Sequence, residues 1–170
     1  MQKTSVEALI QALNAAGVRY LIVGGLAVVA HGYVRFTADV DVVLDLAGDN
    51  PRRAVTALDG LGYRPRAPVA LAEFADAAKR DIWIREKQLT VFSLYSPEHL
   101  ATEVDLFVQS PFNFAEAYAR AARIEVAQGV AATFVGLEDL IALKQQVGRP
   151  QDALDVQQLK ALRKDHADDA

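Results

Sequence analysis

The stretch Gly24–Asp41, GGLAVVAHGYVRFTADVD, limits what this chain can fold into more than any other segment. Paired glycines close the apolar run RYLIV and open a short helical segment. A D-x-D pair then starts an alternating run, DVDVVLDL. Strand side chains repeat every two residues, so Asp39 and Asp41 share one face while Val40, Val42, Leu44 and Leu46 share the other. The valine face is fit for burial. The aspartate face is not, because like charges held side by side repel unless a cation or solvent compensates. Mg²⁺ is the usual cation, taking hard oxygen ligands from one or two carboxylates together with substrate phosphates. Gly24 and Gly25 let the backbone approach a phosphate where helix N–H groups point outward. A phosphate cradle beside a metal-holding carboxylate pair points to phosphoryl or nucleotidyl transfer.

Apolar residues make up 52% of the chain and charged residues 24%, enough for a compact core and against wholesale disorder. A length of 170 residues fits one domain over 1–170, with a sheet-containing core (1–136) and a C-terminal helical pair (137–166). The absence of cysteine removes disulfides, a thiolate nucleophile and Cys-type zinc sites. The start of the chain, with Thr4, Ser5 and Glu7, lacks the basic opening and long apolar run of a signal peptide. No segment approaches the ~18 consecutive apolar residues of a membrane span. A cytoplasmic location and no membrane partner are therefore expected. The net charge of −4 argues against holding nucleic acid by bulk electrostatics. Arg52, Arg53, Arg64 and Arg66 form a local exception, either the solvated face of a helix and its exit loop or a rim for a polyanionic acceptor.

Helical spacing of Val6, Leu9, Ile10 and Leu13 predicts a first helix from a Thr4 or Ser5 cap to about Ala16. RYLIVGG reads as a buried strand and LAVVAHG as a two-turn helix stopped by Gly32. The D-x-D strand covers roughly 38–46. A helix capped by Asp49 or Asn50, with Pro51 in its first turn, runs to Gly62. Residues 70–86 read as helical. QLTVFSLY (88–95) and ATEVDLFV (101–108) alternate as strands, 112–122 is an Ala-rich helix, and 124–135 is a hairpin turning at Gln128–Gly129. Helices over 137–147 and from Pro150 to about Lys164 close the chain, with HADDA as a frayed tail.

Asp105 falls in mid-strand, where a charge is seldom placed without a partner. It completes a carboxylate triad if its strand lies beside the D-x-D strand, and faces solvent if that strand is an edge. Glu103, nearer the strand end, reads as solvated. Lys144 sits on the apolar stripe of its helix, either snorkelling or held to meet a phosphate as a point charge. Asp155 lies on the inner face of the last helix within reach of Lys144, while the helix dipole already accounts for Asp152. Arg149, beside a helix break, is placed to touch a ligand. Arg35 and Thr37 either reach phosphates or hold the loop before the carboxylate pair. His31 reads first as a helix-end histidine. Zinc spacing, a nucleophile elbow around Ser93 or Ser96, a dinucleotide fingerprint and a Walker lysine motif are all missing.

Three segments in order, VGGLAVVAHGYVRFTADVDVVLD, EVDLF and LEDLIALKQQVGRPQDALDVQQL, resemble the DNA polymerase β-like nucleotidyltransferase superfamily. Within it the chain is most similar to the bacterial branch that includes the AbiE-type toxins. The resemblance implies an α+β nucleotidyltransferase fold, with a mixed sheet flanked by helices and a C-terminal helical pair. By matching position it implies that Gly24 and Gly25 receive nucleotide phosphates and that Asp39 and Asp41 ligate metal. Asp105 is then the third acid, which ligates metal and helps activate the attacking hydroxyl. Lys144 and Asp155 (or Asp152) match the later lysine and aspartate of the toxin branch. Together with Arg35, Thr37 and Arg149 they make up the expected nucleotide contacts. One departure stands out: many members carry Ser or Thr at or after the second glycine, where this chain has Leu26. The implied reaction is Mg²⁺-dependent transfer of a nucleoside monophosphate from an NTP, with two ions, to a hydroxyl of tRNA or of a protein. An antitoxin or other cognate partner accompanies the toxin reading. Two alternatives stand beside it: a non-catalytic partner-binding relative, and a transferase for a small cationic acceptor of the aminoglycoside type.

Overall fold

The computed structural model describes residues 2–168, with side chains through Arg163. The described elements run in the order α1 (Lys3–Ala15), β1 (Tyr20–Ile22), α2 (Gly24–Ala30), β2 (Asp39–Leu44), α3 (Asn50–Gly60), β3 (Arg64–Pro65), a 3₁₀ turn (Leu71–Ala75) and α4 (Ala77–Lys87). They continue with β4 (Val91–Tyr95), β5 (Glu103–Phe107), α5 (Phe114–Ala119), β6 (Ala122–Ala127), β7 (Val130–Phe134), α6 (Leu137–Val147) and α7 (Pro150–Asp168). Seven strands form one mixed sheet in the order β3-β4-β5-β2-β1-β7-β6. β2–β5 and β1–β7 are parallel and the other neighbouring pairs antiparallel. This is the α+β architecture that the family resemblance implied, with the mixed sheet and C-terminal helical pair.

The pairing that matters most is β2 with β5. Parallel neighbours need a long crossover, and here it is everything from α3 to β4. On one face of the sheet Val40, Val42, Leu44, Phe92, Leu94, Val104 and Leu106 are buried in the core. Trp83 of α4 stacks on Phe92 with ring centroids 5.0 Å apart, and Phe74 adds a tilted ring. On the other face α2 lies against β2 and α6, and α6 packs on α7. Among the described residues no helix is long and apolar enough to cross a membrane.

Several local expectations shift. Neither Thr4 nor Ser5 caps α1; Ser5 is buried, its hydroxyl 3.1 Å from His99 Nδ1. Asp49 precedes α3 without capping it, because it pairs with Arg52 instead. Asn50 is buried, bridging the backbone of Arg19 and Asp45 at 2.7–3.0 Å. Those bonds satisfy polar backbone at a buried crossing, which outranks a cap at a solvated helix end. Residues 70–86 split at Asp76, whose side chain accepts from Ala78 N (2.8 Å) and starts α4 afresh. The two-residue strand β3 is too short to leave an alternation signal. The last helix continues through the expected frayed tail to Asp168, and Asp169 and Ala170 lie outside the described residues.

Candidate active site

β2 and β5 run side by side with Asp41 directly paired with Asp105, and Asp39 with Glu103. Side chains at paired positions project from the same face, so the three expected acids converge from two strands. Burial and the neighbouring acids together shift two of them, Asp39 and Asp41. Burial, then Asp105, then Asp39 push the Asp41 carboxyl up to about 6. Lys144 and Arg149 pull in the opposite direction without prevailing. Asp39, at the exposed end of β2, is also raised, first by burial and then by Asp105 and Glu103. A site whose carboxylates are held against their own repulsion suits a divalent cation. Among the described residues no three or more carboxylates or histidines close into a ready-made metal cage.

The diglycine abuts this cluster. Gly24 has φ +63, and a Cβ there would fall 1.9 Å from Asp41 Oδ2. A Cβ on Gly25 would fall 2.4 Å from Thr37 Oγ1 and 3.1 Å from an Arg35 guanidinium nitrogen. The sequence thus needs glycine twice for space, and once for backbone handedness as well. Gly24→Ala is expected to strain the backbone by about 1–2 kcal/mol and to drive the Asp41 carboxylate off its position. Turnover should fall far more than the melting temperature, as parallel activity and circular-dichroism measurements on the variant will show. Thr37 places a hydroxyl over Gly25, close to where a serine at position 25 would carry its own. The residue after the glycines, Leu26, is part-buried against the core.

Arg35, Lys144, Asp152 and Asp155 form a single network. Asp155, completely buried, is bridged by the Arg35 guanidinium through Nε (2.8 Å) and Nη2 (2.9 Å). It also meets Lys144 Nζ at 2.8 Å and accepts from Gln151 at 3.0 Å. Burial alone would raise the Asp155 carboxyl, but the bonds from Lys144, Arg35 and Gln151 outweigh it and hold it below the usual range. Lys144 Nζ also donates to Asp152 at 2.8 Å, and Asp152 accepts from the Arg149 backbone N–H at 3.2 Å. Arg35 Nε is the one buried side-chain nitrogen or oxygen among the described residues with no well-aligned hydrogen bond. Two cations and two carboxylates therefore tie the loop before β2 to α6 and α7.

This revises two expectations. Asp155 has no exposed surface to offer a nucleotide and can act on one only through Arg35 and Lys144. Asp152, set aside as a helix-dipole residue, is a working member of the network. Lys144 does not snorkel: it is buried and fully paired. Arg149 is exposed at the α6–α7 break. His31 donates from Nε2 to the Val135 carbonyl at 2.8 Å, pinning the end of α2 to the turn before α6, in keeping with its helix-end reading. Asp45, at the exit of β2, pairs with Arg19 at 2.7 Å and takes no part in the cluster.

The four arginines do not act as one patch. Arg52 pairs with Asp49, Arg53 reaches Asn50 (3.4 Å), and Arg64 pairs with Asp59 (2.7 Å). Arg66 alone reaches the site, forking onto Glu103 with Nε 3.0 Å from Oε2. Ser93 is a further resident, directly opposite Asp105 across β4–β5. Alternation in QLTVFSLY puts Ser93 on a face with Val91 and Tyr95. Only the strand register reveals which face that is.

Residues 4–165 match a family described as "Nucleotidyltransferase of unknown function (DUF6036)". No curated protein matches by sequence. Among solved structures, the fold is similar to the lincosamide antibiotic adenylyltransferase LnuA in its lincomycin-bound form, with TM-score 0.63 and 13% identity over 95% of this chain and 98% of that one. It is also similar to the antibiotic-resistance factor ANT(2″)-Ia in solution, with TM-score 0.55 and 17% identity over 98% and 93%. The crystal structure of ANT(2″)-Ia in complex with adenylyl-2″-tobramycin gives TM-score 0.53 and 16% identity over 99% of both chains.

Proposed function

The chain belongs to the DUF6036 family of nucleotidyltransferases, and from that premise we propose that it transfers a nucleoside monophosphate from an NTP to a hydroxyl group of a small molecule. The observation that carries the chemistry is the pairing of Asp41 with Asp105, with Asp39 on the same face and the Gly24 backbone against Asp41. Asp39, Asp41 and Asp105 would hold the divalent ions, two in this reading, which supply charge neutralisation to the triphosphate and the leaving group when bound. The Gly24–Gly25 backbone and the Thr37 hydroxyl receive phosphate oxygens. Arg35, Lys144 and Arg149 add positive potential from the α7 side. Asp105, at the mid-strand position beside Asp41, orients the acceptor hydroxyl and takes its proton. The acceptor oxygen bonds to the α-phosphorus as the bond from that phosphorus to the bridging oxygen breaks, and pyrophosphate departs in line.

Two features support a small acceptor. The four arginines that an RNA would need do not converge on one surface: they lie on α3, on β3 and just after it, with separate partners. The solved neighbours, LnuA and ANT(2″)-Ia, are named for small antibiotic substrates and cover nearly the same length. The deciding experiment incubates the protein with each labelled NTP and Mg²⁺, separately with lincomycin, tobramycin, tRNA and total protein. Label on a small molecule is expected. Label on tRNA or protein would restore the toxin-type acceptor and its antitoxin partner. No transfer from any NTP would leave the non-catalytic relative.

Thr37 offers a sharper test of the phosphate cradle. Its hydroxyl has only a long 3.5 Å contact to the Asp39 carbonyl and is free to turn toward a ligand. Thr37→Val is expected to raise the KM for NTP roughly tenfold, the loss of about one hydrogen bond to a charged group, with unfolding unchanged. Titration with a non-hydrolysable NTP analogue checks it.

A further inference from the structure

The outer half of the site face is uncovered. Along β4 and β5 the buried residues Phe92, Leu94, Val104 and Leu106 alternate with Val91, Ser93, Tyr95, Glu103, Asp105 and Phe107, which retain exposure. No described helix covers this second set as α2 covers the β2 side. The direction of the reaction gives the open floor a use. Phosphates received at Gly24–Gly25 lie toward β1, so in-line departure of pyrophosphate leaves the opposite side, β5 and β4, for the incoming hydroxyl.

Glu103 stands at that entrance, paired with Asp39 in register and two residues from Asp105. It is bound by Arg66, whose guanidinium also lies 5.4 Å from the centre of the Tyr95 ring. Both partners are exposed, at 54% for Arg66 and 39% for Glu103, so water and salt already screen the forked pair. An incoming ammonium group competes with Arg66 for the same carboxylate. The site face carries Asp39, Asp41, Glu103 and Asp105, and its only direct cationic partner on the β4–β5 side is this one arginine among the described residues. An amine-bearing acceptor complements that face; an anionic one does not.

We propose that Glu103 is the specificity-determining residue for the acceptor, anchoring an ammonium group of a cationic hydroxyl compound on the open β4–β5 floor, with Arg66 as the internal cation it displaces. This rests on the nucleotidyltransfer reading and adds the acceptor's charge and the place it binds. Ser93 lies across from Asp105 to accept or donate to the acceptor hydroxyls, while Val91 and Phe107 offer an apolar end.

The test compares Glu103→Gln and Arg66→Ala with the unmodified protein, using kanamycin as the cationic probe and myo-inositol as the neutral one. Pyrophosphate release without acceptor is followed alongside. Glu103→Gln is expected to raise the KM for kanamycin on the order of tenfold, and Arg66→Ala to lower it by freeing the carboxylate. The opposite signs should be confined to kanamycin: any change in the KM for ATP, in acceptor-free pyrophosphate release or in myo-inositol turnover, which Glu103 can reach through its place beside Asp39, should be smaller than the kanamycin effect. Effects of the same sign in the two variants, no effect in either, or no saturable kanamycin binding to the unmodified protein would overturn the anchor. The nucleotidyltransfer reading fails by a different result, the absence of Mg²⁺-dependent pyrophosphate release in the unmodified protein. A residue needed only for folding would not give opposite signs.

Discussion

Asp41→Asn should abolish nucleotidyl transfer while making the protein harder to unfold. The loss of activity is expected to reach at least 10²–10³-fold, the scale seen when one preorganised electrostatic group is removed from a reaction centre. The gain in stability follows from the same carboxylate. Its proton is held in the native state up to about pH 6, against an ordinary value of 3.8. Between those limits the native state binds more protons than the unfolded one, so stability falls as pH rises through the window. Above about pH 6 the penalty is fully present, at about 3 kcal/mol. Asparagine carries no charge to desolvate or repel. The variant should therefore melt higher than the unmodified protein at pH 8 without divalent ions, and the difference should vanish near pH 4. Mg²⁺ should raise the melting temperature of the unmodified protein and leave the variant nearly unmoved. Urea or thermal unfolding at three pH values checks the sign. A variant that loses stability at pH 8, or keeps turning over NTP, would contradict the assignment of Asp41.

Asp155→Ala should have the opposite balance, with a large loss of stability and a loss of activity that follows from it. Removing this buried carboxylate strands Arg35 and leaves Lys144 with Asp152 alone. Breaking a buried pair from one side costs about 3–5 kcal/mol, which for a chain of this size lowers the melting temperature by about 10 °C. Removing both charges together tests the cause. Arg35→Met with Asp155→Leu keeps the network neutral through Lys144–Asp152 and should cost less than Asp155→Ala alone. If the double variant is no more stable than the single, the loss comes from packing around α7 and not from an uncompensated charge. The KM for NTP in the double variant then reports what Arg35 contributes to phosphate binding apart from folding.

The elements and much of the site were legible from the chain because they follow from short-range periodicity. DVDVVL can bury one face only, so the aspartates had to share the other. The α6 stripe had to carry Lys144 inward because apolar residues three and four apart surround it. Paired glycines before a helix signalled a close approach of some kind. In each case the rule needs only neighbours within a turn or two of chain.

What the tertiary structure alone decided is which distant residues meet. Nothing within EVDLF states that Asp105 pairs with Asp41, since the register of parallel strands is set across the whole crossover from α3 to β4. The use of glycine at 24 and 25 becomes specific only when Asp41, Thr37 and Arg35 occupy the space their side chains would have needed. Asp155 could be placed on the inner face of its helix within reach of Lys144, but nothing local told that an arginine 120 residues away seals it. The arginine cluster, close in sequence, is split because α3, β3 and the residue after it point its members at different partners, Asp49, Asn50, Asp59 and Glu103. Periodicity fixes which face a side chain takes. Long-range pairing, which depends on how all the buried faces fit together, fixes what it finds there.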